Sequence, residues 1–129
     1  MMRVPVVVST KAAPEAIGPY SQAIACGGFL FLSGQIPLDP ATGELVATSF
    51  AAQVERVLAN VEGVLAAGGC TRASVTKVNV YLTDLQRFAE FNEIYGRFFA
   101  GHRPARAVVQ VSALPRGAQV EIEAIAVRE

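Results

Sequence analysis

Arg106 and Glu121 are the residues whose types and spacing best suit chemistry in this chain. Both lie in alternating stretches typical of half-buried β-strands, at 104–111 and 120–123, and the run between these stretches predicts a turn. A planar guanidinium in the middle of a sheet face suits a carboxylate ligand held by two hydrogen bonds. An Arg–Glu ion pair on a solvated sheet face would explain the same residues, so both interpretations stay open at this point.

The placement of these side chains depends on which side of each strand covers the core. In the first strand the uniformly apolar side is Ala107, Val109 and Val111; in the second it is Val120, Ile122 and Ala124. If both apolar sides cover one core, we expect the opposite sheet face to carry Arg106 and Gln110 together with Glu121 and Glu123.

Other chemistries have little support in the sequence. The single histidine, His102, lies in a polar loop, where we expect it to be solvated, and it supplies neither a triad nor a set of metal ligands. No glycine-rich nucleotide-binding motif occurs. Cys26 and Cys70 lack an evident acid–base partner, so we interpret both as small apolar fillers with reduced thiols. An arginine, a carboxylate, backbone groups and water remain, and we predict no metal and no cofactor.

Length and composition set further limits. The 129 residues suffice for one domain, 1–129, with a real core. The 11 basic and 11 acidic residues cancel, which argues against a protein that binds nucleic-acid phosphates. No apolar run approaches the roughly 20 residues that a membrane span needs. The first eight residues predict a strand rather than a signal peptide, and we expect a cytoplasmic protein.

Two helices are predicted in the middle of the chain. Ser49 can cap the first, and Gly68-Gly69 ends it. Asp84 can cap the second helix. The apolar stripe of the first is Phe50, Val54, Val57, Leu58, Val61 and Leu65; that of the second is Leu85, Phe88, Phe91, Tyr95 and Phe98.

The strand pattern predicts the fold class. Gly27-Gly28 favours a tight hairpin turn, and residues 37–43 predict a loop. We predict strands at 4–9, 21–26, 29–33, 75–82, 104–111 and 120–123. This order is typical of an α+β domain, with a single mixed sheet of about six strands and two helices on one face. The other face must meet water or another subunit, and a composition that is 52% hydrophobic favours a subunit.

Four motifs in this order resemble the RidA (YjgF/YER057c/UK114) family of reactive intermediate deaminases. They are Ile-Gly-Pro-Tyr-Ser-Gln-Ala at 17–23, Leu-Ser-Gly-Gln-Ile-Pro at 32–37, Pro-Ala-Arg at 104–106 and Val-Glu-Ile-Glu at 120–123. The likeness runs from about residue 8 to residue 128. It implies the chorismate-mutase-like fold of that family and a homotrimer with sites in the clefts between subunits. It also implies hydrolysis of 2-imino acids, such as 2-iminobutanoate and 2-iminopropanoate, to 2-oxo acids and ammonia.

The resemblance also implies roles for individual residues. Arg106 matches the arginine that clamps the substrate carboxylate, Glu121 matches the acid that activates water, and the backbone carbonyl of Val108 helps to position that water. The pocket-lining matches are Tyr20, Ser33, Gly34, Phe88 and Asn92. Several relatives carry cysteine at position 108 and serine or threonine at position 107. If only the backbone carbonyl acts, valine at 108 is harmless, although it can alter which imino acids fit.

Simpler interpretations exist for several pocket residues. Tyr20 could be a core phenol beside the Gly18-Pro19 turn, Ser33 a turn residue and Asn92 a surface polar group. Two other functions also remain open: a non-catalytic protein that binds small carboxylates, and an RNA-cleaving translation inhibitor. Neutral charge argues against the second. The presence of both Arg106 and Glu121 favours the deaminase, because a carboxylate binder needs only the arginine.

Overall fold

A single mixed β-sheet with two helices on one face forms the protein, in a computed structural model that describes residues 4–128. The strand order is β1-β2-β3-β6-β4-β5; β4 and β5 are parallel, and the other neighbours are antiparallel. The predicted fold class is therefore confirmed. The elements are β1 Val6–Val8, β2 Ala23–Cys26, β3 Phe29–Gln35, α1 Phe50–Ala67, β4 Val75–Leu82, α2 Phe88–Phe99, β5 Ala105–Gln110 and β6 Val120–Val127.

Five of the six strands begin and end close to their predicted bounds, whereas β6 continues to Val127, four residues past the predicted 120–123. β1 is shorter than the predicted 4–9, and β2 begins two residues later than predicted. β3 continues two residues past Ser33, because Gln35 still pairs with Ile122 of β6 after an irregularity in the ladder. The hairpin turn between β2 and β3 is confirmed: Gly27 and Gly28 have φ of 60° and 84°, a conformation that favours glycine.

The first helix follows its sequence signals. The Ser49 hydroxyl accepts a hydrogen bond from the Ala52 amide at 3.0 Å, as expected of an N-cap. The amide of Gly68 donates to the Val64 carbonyl at 3.0 Å and closes the last turn. The predicted apolar stripe is buried and forms the centre of the core: Phe50, Val54, Val57, Leu58, Val61 and Leu65.

The second helix differs from its prediction in its first turn. Asp84 does act as a cap, since its carboxylate accepts from the Gln86 amide at 2.9 Å, but it caps a short 3-10 turn, Leu85–Arg87, before α2 begins. A 3-10 turn has three residues per turn, so the predicted stripe loses its phase there. Leu85 and Phe88 are consequently 42% and 39% exposed. The buried residues of α2 are Phe91, Ile94, Tyr95 and Phe99.

The predicted orientation of β5 is wrong. Val78 and Val80 of β4 are buried beneath the helices, and their partners in the parallel ladder are Arg106 and Val108. Residues paired across neighbouring strands point to the same face, so the register places Arg106 and Val108 on the helix-covered side. The apolar Ala107 is exposed instead, as is Val109, and both side chains lie on the uncovered side.

The uncovered sheet face is also apolar. An apolar pattern therefore does not distinguish the two sides of β5, and the predicted core-facing side was the wrong one. Four of its large hydrophobic side chains are more than 40% exposed: Phe29, Phe31, Val109 and Val127. The rings of Phe29 and Phe31 lie 6.0 Å apart and form a continuous patch. Monomeric proteins rarely leave such a patch in water. Neither helix is long and apolar enough to cross a membrane, within the residues described.

Candidate functional site

Four of the predicted site residues come together on the uncovered face. Tyr20, Ser33, Gly34 and Glu121 line one cavity of about 570 Å³. We call this group the acid half-site. Glu121 comes from β6, while Ser33 and Gly34 come from the neighbouring strand β3. The cavity continues along apolar side chains of the adjoining loops, Ile17 and Ile36 among them.

Gly34 makes room for the Glu121 carboxylate. The β3–β6 ladder is irregular between Leu32 and Gln35, and this irregularity brings the backbone of Gly34 against Glu121. A Cβ atom at position 34 would collide with the Glu121 carboxylate. Any larger residue at this position would therefore displace the Glu121 carboxylate from its place.

A buried amide positions the loop that carries Tyr20. The Gln22 side chain donates to the carbonyls of Thr10 at 3.0 Å and Pro14 at 2.7 Å, and accepts from the Thr10 amide at 2.6 Å. The Ser33 hydroxyl donates to the Ser21 carbonyl at 2.5 Å. Tyr20 remains 49% exposed, and its hydroxyl accepts a bond of 3.3 Å from the Ile17 amide. Tyr20 is thus a cavity-lining phenol rather than a core residue.

The environment of Glu121 favours its neutral form. Burial raises the pKa of the Glu121 carboxyl above its ordinary value, and the negative charge of Glu123 adds to that rise. The Glu123 side chain is held in place, because it accepts hydrogen bonds from the Tyr81 hydroxyl at 2.6 Å and from the Asn79 side-chain amide at 3.3 Å. The pKa of Tyr81 rises to about 12, chiefly because of that bond to Glu123. A raised pKa makes the ionised carboxyl group a stronger base than an ordinary glutamate, which suits a group that accepts and returns a proton.

A second group of predicted residues lies on the helix-covered side, at the edge strand β5. Arg106 donates to the Asn92 side-chain oxygen at 2.8 Å, and its guanidinium carbon lies 5.7 Å from the centre of the Phe88 ring. We call Phe88, Asn92, Arg106 and Val108 the arginine half-site. Asn92 and Arg106 line a cavity of about 490 Å³ between α2 and the start of β5. Asn92 is therefore a partner of the arginine and not a solvated surface residue.

Val108 contributes a backbone group at the free edge of the sheet. The amide of Val111 donates to the Leu82 carbonyl of β4 at 2.9 Å. Backbone groups alternate in direction along a strand, so the carbonyls of Arg106 and Val108 point away from β4. β5 is the last strand of the sheet, and this edge has no partner within residues 4–128. The Val108 carbonyl is consequently available to a ligand or a neighbouring subunit.

The two half-sites do not meet within one chain. The expectation that Arg106 and Glu121 share a sheet face is wrong, because Arg106 follows Val78 to the covered side whereas Glu121 pairs with Tyr81 on the uncovered side. Their strands are also separated by β4, a displacement of about 10 Å at ordinary strand spacing. The ion pairs found among residues 4–128 join Arg72 to Glu62, Arg87 to Glu90 and Arg97 to Glu93; none includes Arg106 or Glu121.

Comparison with known proteins identifies the family. Residues 10–128 match the family model described as endoribonuclease L-PSP, which is the RidA family. The chain belongs to the RidA family. It is 57% identical to protein DfrA of Myxococcus xanthus, over 93% of each chain. It is 48% identical to the 2-iminobutanoate/2-iminopropanoate deaminase of Mus musculus, covering 95% of this chain and 90% of that protein. The crystal structure of Escherichia coli TdcF with bound serine superposes with a TM-score of 0.92 at 43% identity, covering 96% of this chain and 99% of that one.

Two features of this RidA site were not predicted from the sequence. Tyr95, assigned to the core stripe, lies beneath Arg106 with the guanidinium carbon 4.8 Å from its ring centre. The Tyr81–Glu123 bond beside Glu121 joins two strands that are distant in sequence. The pairing of β4 with β6 could not be read from either stretch alone, although the alternation of Glu121 and Glu123 places them on one face.

Three residues outside the site have structural roles. His102 is not simply solvated as predicted, because its Nε2 atom lies 2.7 Å from the Val75 carbonyl and its ring lies edge-on to Phe99. Cys70 is buried in the core, and burial raises the pKa of its thiol. Cys26 is half-buried, and neither cysteine forms a disulfide. No cluster of three metal-ligating side chains occurs within the part of the chain that the structure describes.

Proposed function

We propose that this protein hydrolyses 2-imino acids, including 2-iminobutanoate and 2-iminopropanoate, to 2-oxo acids and ammonia at sites formed between subunits of a homotrimer. The observation that carries the proposal is the division of the site. One sheet face holds a carboxyl group with a raised pKa, and the other holds an arginine that has no carboxylate partner among residues 4–128. Each half-site lacks what the other supplies, and a second copy of the chain can bring them together.

The uncovered face supports assembly. It presents the apolar patch that includes Phe31 and Val127, while the unpaired edge of β5 offers the Val108 carbonyl beside it. Covering both features with a neighbouring subunit would remove the patch from water and bring one subunit's arginine half-site towards the next subunit's acid half-site. The choice of three subunits rests on the resemblance to the RidA family.

Arg106 would bind the substrate carboxylate. Its bond to Asn92 occupies one nitrogen of the guanidinium and fixes its plane, which leaves further N–H groups for a two-point contact with a carboxylate. Two hydrogen bonds from a planar group fix the rotation of the bound acid as well as its position. The imine carbon, adjacent to the carboxylate, is thereby held at a set distance from the water that attacks it.

Glu121 would move the protons. As water adds to the carbon of the N-protonated imine, the Glu121 carboxylate accepts a proton from that water, and the Val108 carbonyl accepts a hydrogen bond from its other O–H group. The tetrahedral product carries a hydroxyl and an amino group on one carbon. Protonated Glu121 returns its proton to the amino nitrogen, and the carbon–nitrogen bond breaks to release ammonia. As the carbonyl forms, the hydroxyl gives its proton to the Glu121 carboxylate, which passes it to the departing ammonia, so that the 2-oxo acid and the ionised carboxylate remain. An imine is already electrophilic, so these steps need no covalent intermediate.

A binding function without catalysis is the main alternative. The structure of TdcF with bound serine shows that a related chain takes up a small amino acid. A binder requires only the arginine half-site. The raised pKa of Glu121 and the glycine that accommodates its carboxylate favour catalysis, because neither feature improves the binding of an anion.

RNA cleavage, which the family description names, has weaker support in this chain. Its 11 basic residues are balanced by 11 acidic ones, whereas proteins that bind RNA backbones concentrate positive charge. The two free cysteines are consistent with the cytoplasm as the compartment we propose.

The direct test generates 2-iminobutanoate in solution with an amino acid oxidase and times its loss. We expect this protein to accelerate the loss in proportion to its concentration, and the Arg106→Ala variant to lose that acceleration. Arg97→Ala is the matched control, because Arg97 lies on α2 in an exposed ion pair with Glu93 and should keep full activity. Loss at the uncatalysed rate with wild-type protein would refute the proposal, and retained binding of 2-oxobutanoate would then favour a binding protein.

A further inference from the structure

The side chain of Arg106 is half-buried and is held by neutral groups. Its polar partner within residues 4–128 is the amide oxygen of Asn92 at 2.8 Å. Its other neighbours are two aromatic rings, Tyr95 at 4.8 Å and Phe88 at 5.7 Å from the guanidinium carbon. A carboxylate in their place would bind the arginine more firmly but would compete with an anionic ligand.

The two rings differ in how firmly they are fixed. Phe88 is 39% exposed at the start of α2. Tyr95 is only 8% exposed and is held between Phe91 at 5.4 Å and Phe99 at 4.8 Å, measured between ring centres. A ring packed on both sides cannot rotate away, so it gives the guanidinium a fixed surface to rest on.

The hydroxyl of Tyr95 does not explain why an aromatic residue is present. It is buried and has no hydrogen-bond partner within the described residues, an arrangement that costs stability. Burial also raises the pKa of Tyr95 to about 12, against the opposing effect of the Arg106 charge. The phenol therefore stays neutral at physiological pH and does not act as a counter-ion. Tyr95 therefore interacts with Arg106 through the face of its ring.

We propose that Tyr95 is a positioning residue for substrate recognition: its ring orients the Arg106 guanidinium while leaving the positive charge free for the carboxylate of the ligand. The inference rests on the proposed function, because it assumes that Arg106 binds a carboxylate. It extends that function to a residue that acts through Arg106. The attraction between ring and cation also weakens little with added salt, unlike an exposed ion pair.

The test compares replacements that keep or remove the ring. Tyr95→Phe retains the ring and removes an unsatisfied hydroxyl, so we expect kcat/KM within about twofold of wild type and an unchanged or higher Tm. Tyr95→Leu removes the ring, and we expect the Kd for 2-oxobutanoate and the KM to rise about tenfold with a smaller change in kcat. If the leucine variant does not fold, Tyr95→Met provides the same comparison, since methionine adapts to irregular spaces.

Leu30→Ala is the control for lost core packing. Leu30 is fully buried on β3, which lies three positions from β5 in the sheet, and the rings that pack on Tyr95 are unchanged in this variant. We expect this variant to lower Tm as Tyr95→Leu does, while its Kd for 2-oxobutanoate stays within about twofold of wild type.

A double-mutant cycle with Arg106→Ala decides the matter. If Tyr95 acts through Arg106, then Tyr95→Leu should add no further loss of 2-oxobutanoate affinity once the arginine is gone. An equal loss in both backgrounds, or an unchanged Kd in Tyr95→Leu itself, would overturn the proposal. Binding of 2-oxobutanoate is measured without turnover, so the cycle remains informative even if wild-type protein hydrolyses no imine.

Discussion

The acid half-site and the arginine half-site differ in how the surroundings act on the charge of the central residue, which is Glu121 in the first and Arg106 in the second. Glu121 lies in a partly buried position beside another carboxylate, which raises its pKa and favours the neutral acid. Arg106 instead contacts an amide and aromatic rings, which carry no negative charge. Under the proposed function, the first group exchanges protons and the second binds an anion. Neither takes part in an ion pair within residues 4–128.

The comparison also concerns the elements that carry the two groups. The acid half-site depends on sheet irregularity, since Gly34 and the disturbed β3–β6 ladder admit the Glu121 carboxylate. The arginine half-site depends on a helix packed against an edge strand, with Asn92 and Tyr95 of α2 beneath Arg106 of β5. Variants in the two regions should therefore fail in different ways: loss of binding on one side and loss of turnover on the other.

The largest effect is expected at Arg106. Replacing it with alanine removes the carboxylate contact, and we expect kcat/KM to fall about a thousandfold and 2-oxobutanoate binding to become very weak. Arg106→Lys should remain at least about tenfold below wild type, because lysine keeps the charge but loses the planar two-point contact. A lysine variant within about twofold of wild type in kcat/KM would contradict the clamp.

The next largest effect is expected at Glu121. Glu121→Gln keeps the size of the side chain but cannot exchange a proton, so we expect kcat to fall about a hundredfold. The Kd for 2-oxobutanoate should stay within about twofold, since Arg106 is unaffected. Glu93→Gln, on the exposed surface of α2, is the control and should retain wild-type kcat. Equal losses of affinity and turnover would show that Glu121 has a structural role instead.

A smaller effect is expected at Gly34. In Gly34→Ala the new methyl group displaces the Glu121 carboxylate, and we expect kcat to fall about tenfold with 2-oxobutanoate binding nearly unchanged. Gly101→Ala is the matched control, because a Cβ atom there meets nothing within 4 Å. If Gly34→Ala impaired binding more than turnover, the assignment of turnover to the acid half-site would be wrong.

The smallest effect is expected at Glu123. Its charge is the second cause of the raised pKa of Glu121, after burial, so Glu123→Gln should lower that pKa only in part. Activity that requires ionised Glu121 would then extend to lower pH, and the acidic limb of the kcat/KM profile should shift downward. An upward shift, or none, would show that Glu123 does not act on Glu121.

The same pKa shift makes a prediction about stability. Because folding raises the pKa of Glu121 above 4.5, its protonated form stabilises the folded state below that pH, and this contribution is lost as pH rises through the raised pKa. Glu123→Gln should make the loss smaller. Thermal unfolding of wild type and variant from about pH 4 to pH 7 measures the difference.

Much of the fold was readable from the sequence, because its signals are local. Ser49 caps α1, and Gly27-Gly28 forms the turn between β2 and β3; both features depend on residues that are close in sequence. The orientation of β5 was not readable, because both of its sides carry apolar residues: Val108 packs on the core, whereas Ala107 and Val109 lie on the uncovered face. Only the register with β4 decides between the two sides, and register is a tertiary property.

The candidate site, like the fold, could be predicted from the sequence only in part. The residue types were identified from the motifs, and the structure brings Tyr20, Ser33 and Gly34 to Glu121 as one cavity. The separation of Arg106 from Glu121 could not be predicted while the orientation of β5 was in error. Tyr95 was missed because a tyrosine in an apolar stripe has the same pattern whether it fills the core or supports a charged group.

Complementation between two inactive variants tests the central claim most directly. Arg106→Ala and Glu121→Gln subunits, carrying different affinity tags, are co-expressed, and the mixed protein is purified through both tags. If each site of the proposed homotrimer takes its arginine from one subunit and its glutamate from the next, selection through both tags leaves about a third of the sites intact, and 2-iminobutanoate hydrolysis should recover accordingly. Mixed protein that carries both tags and remains as inactive as either parent would contradict the account.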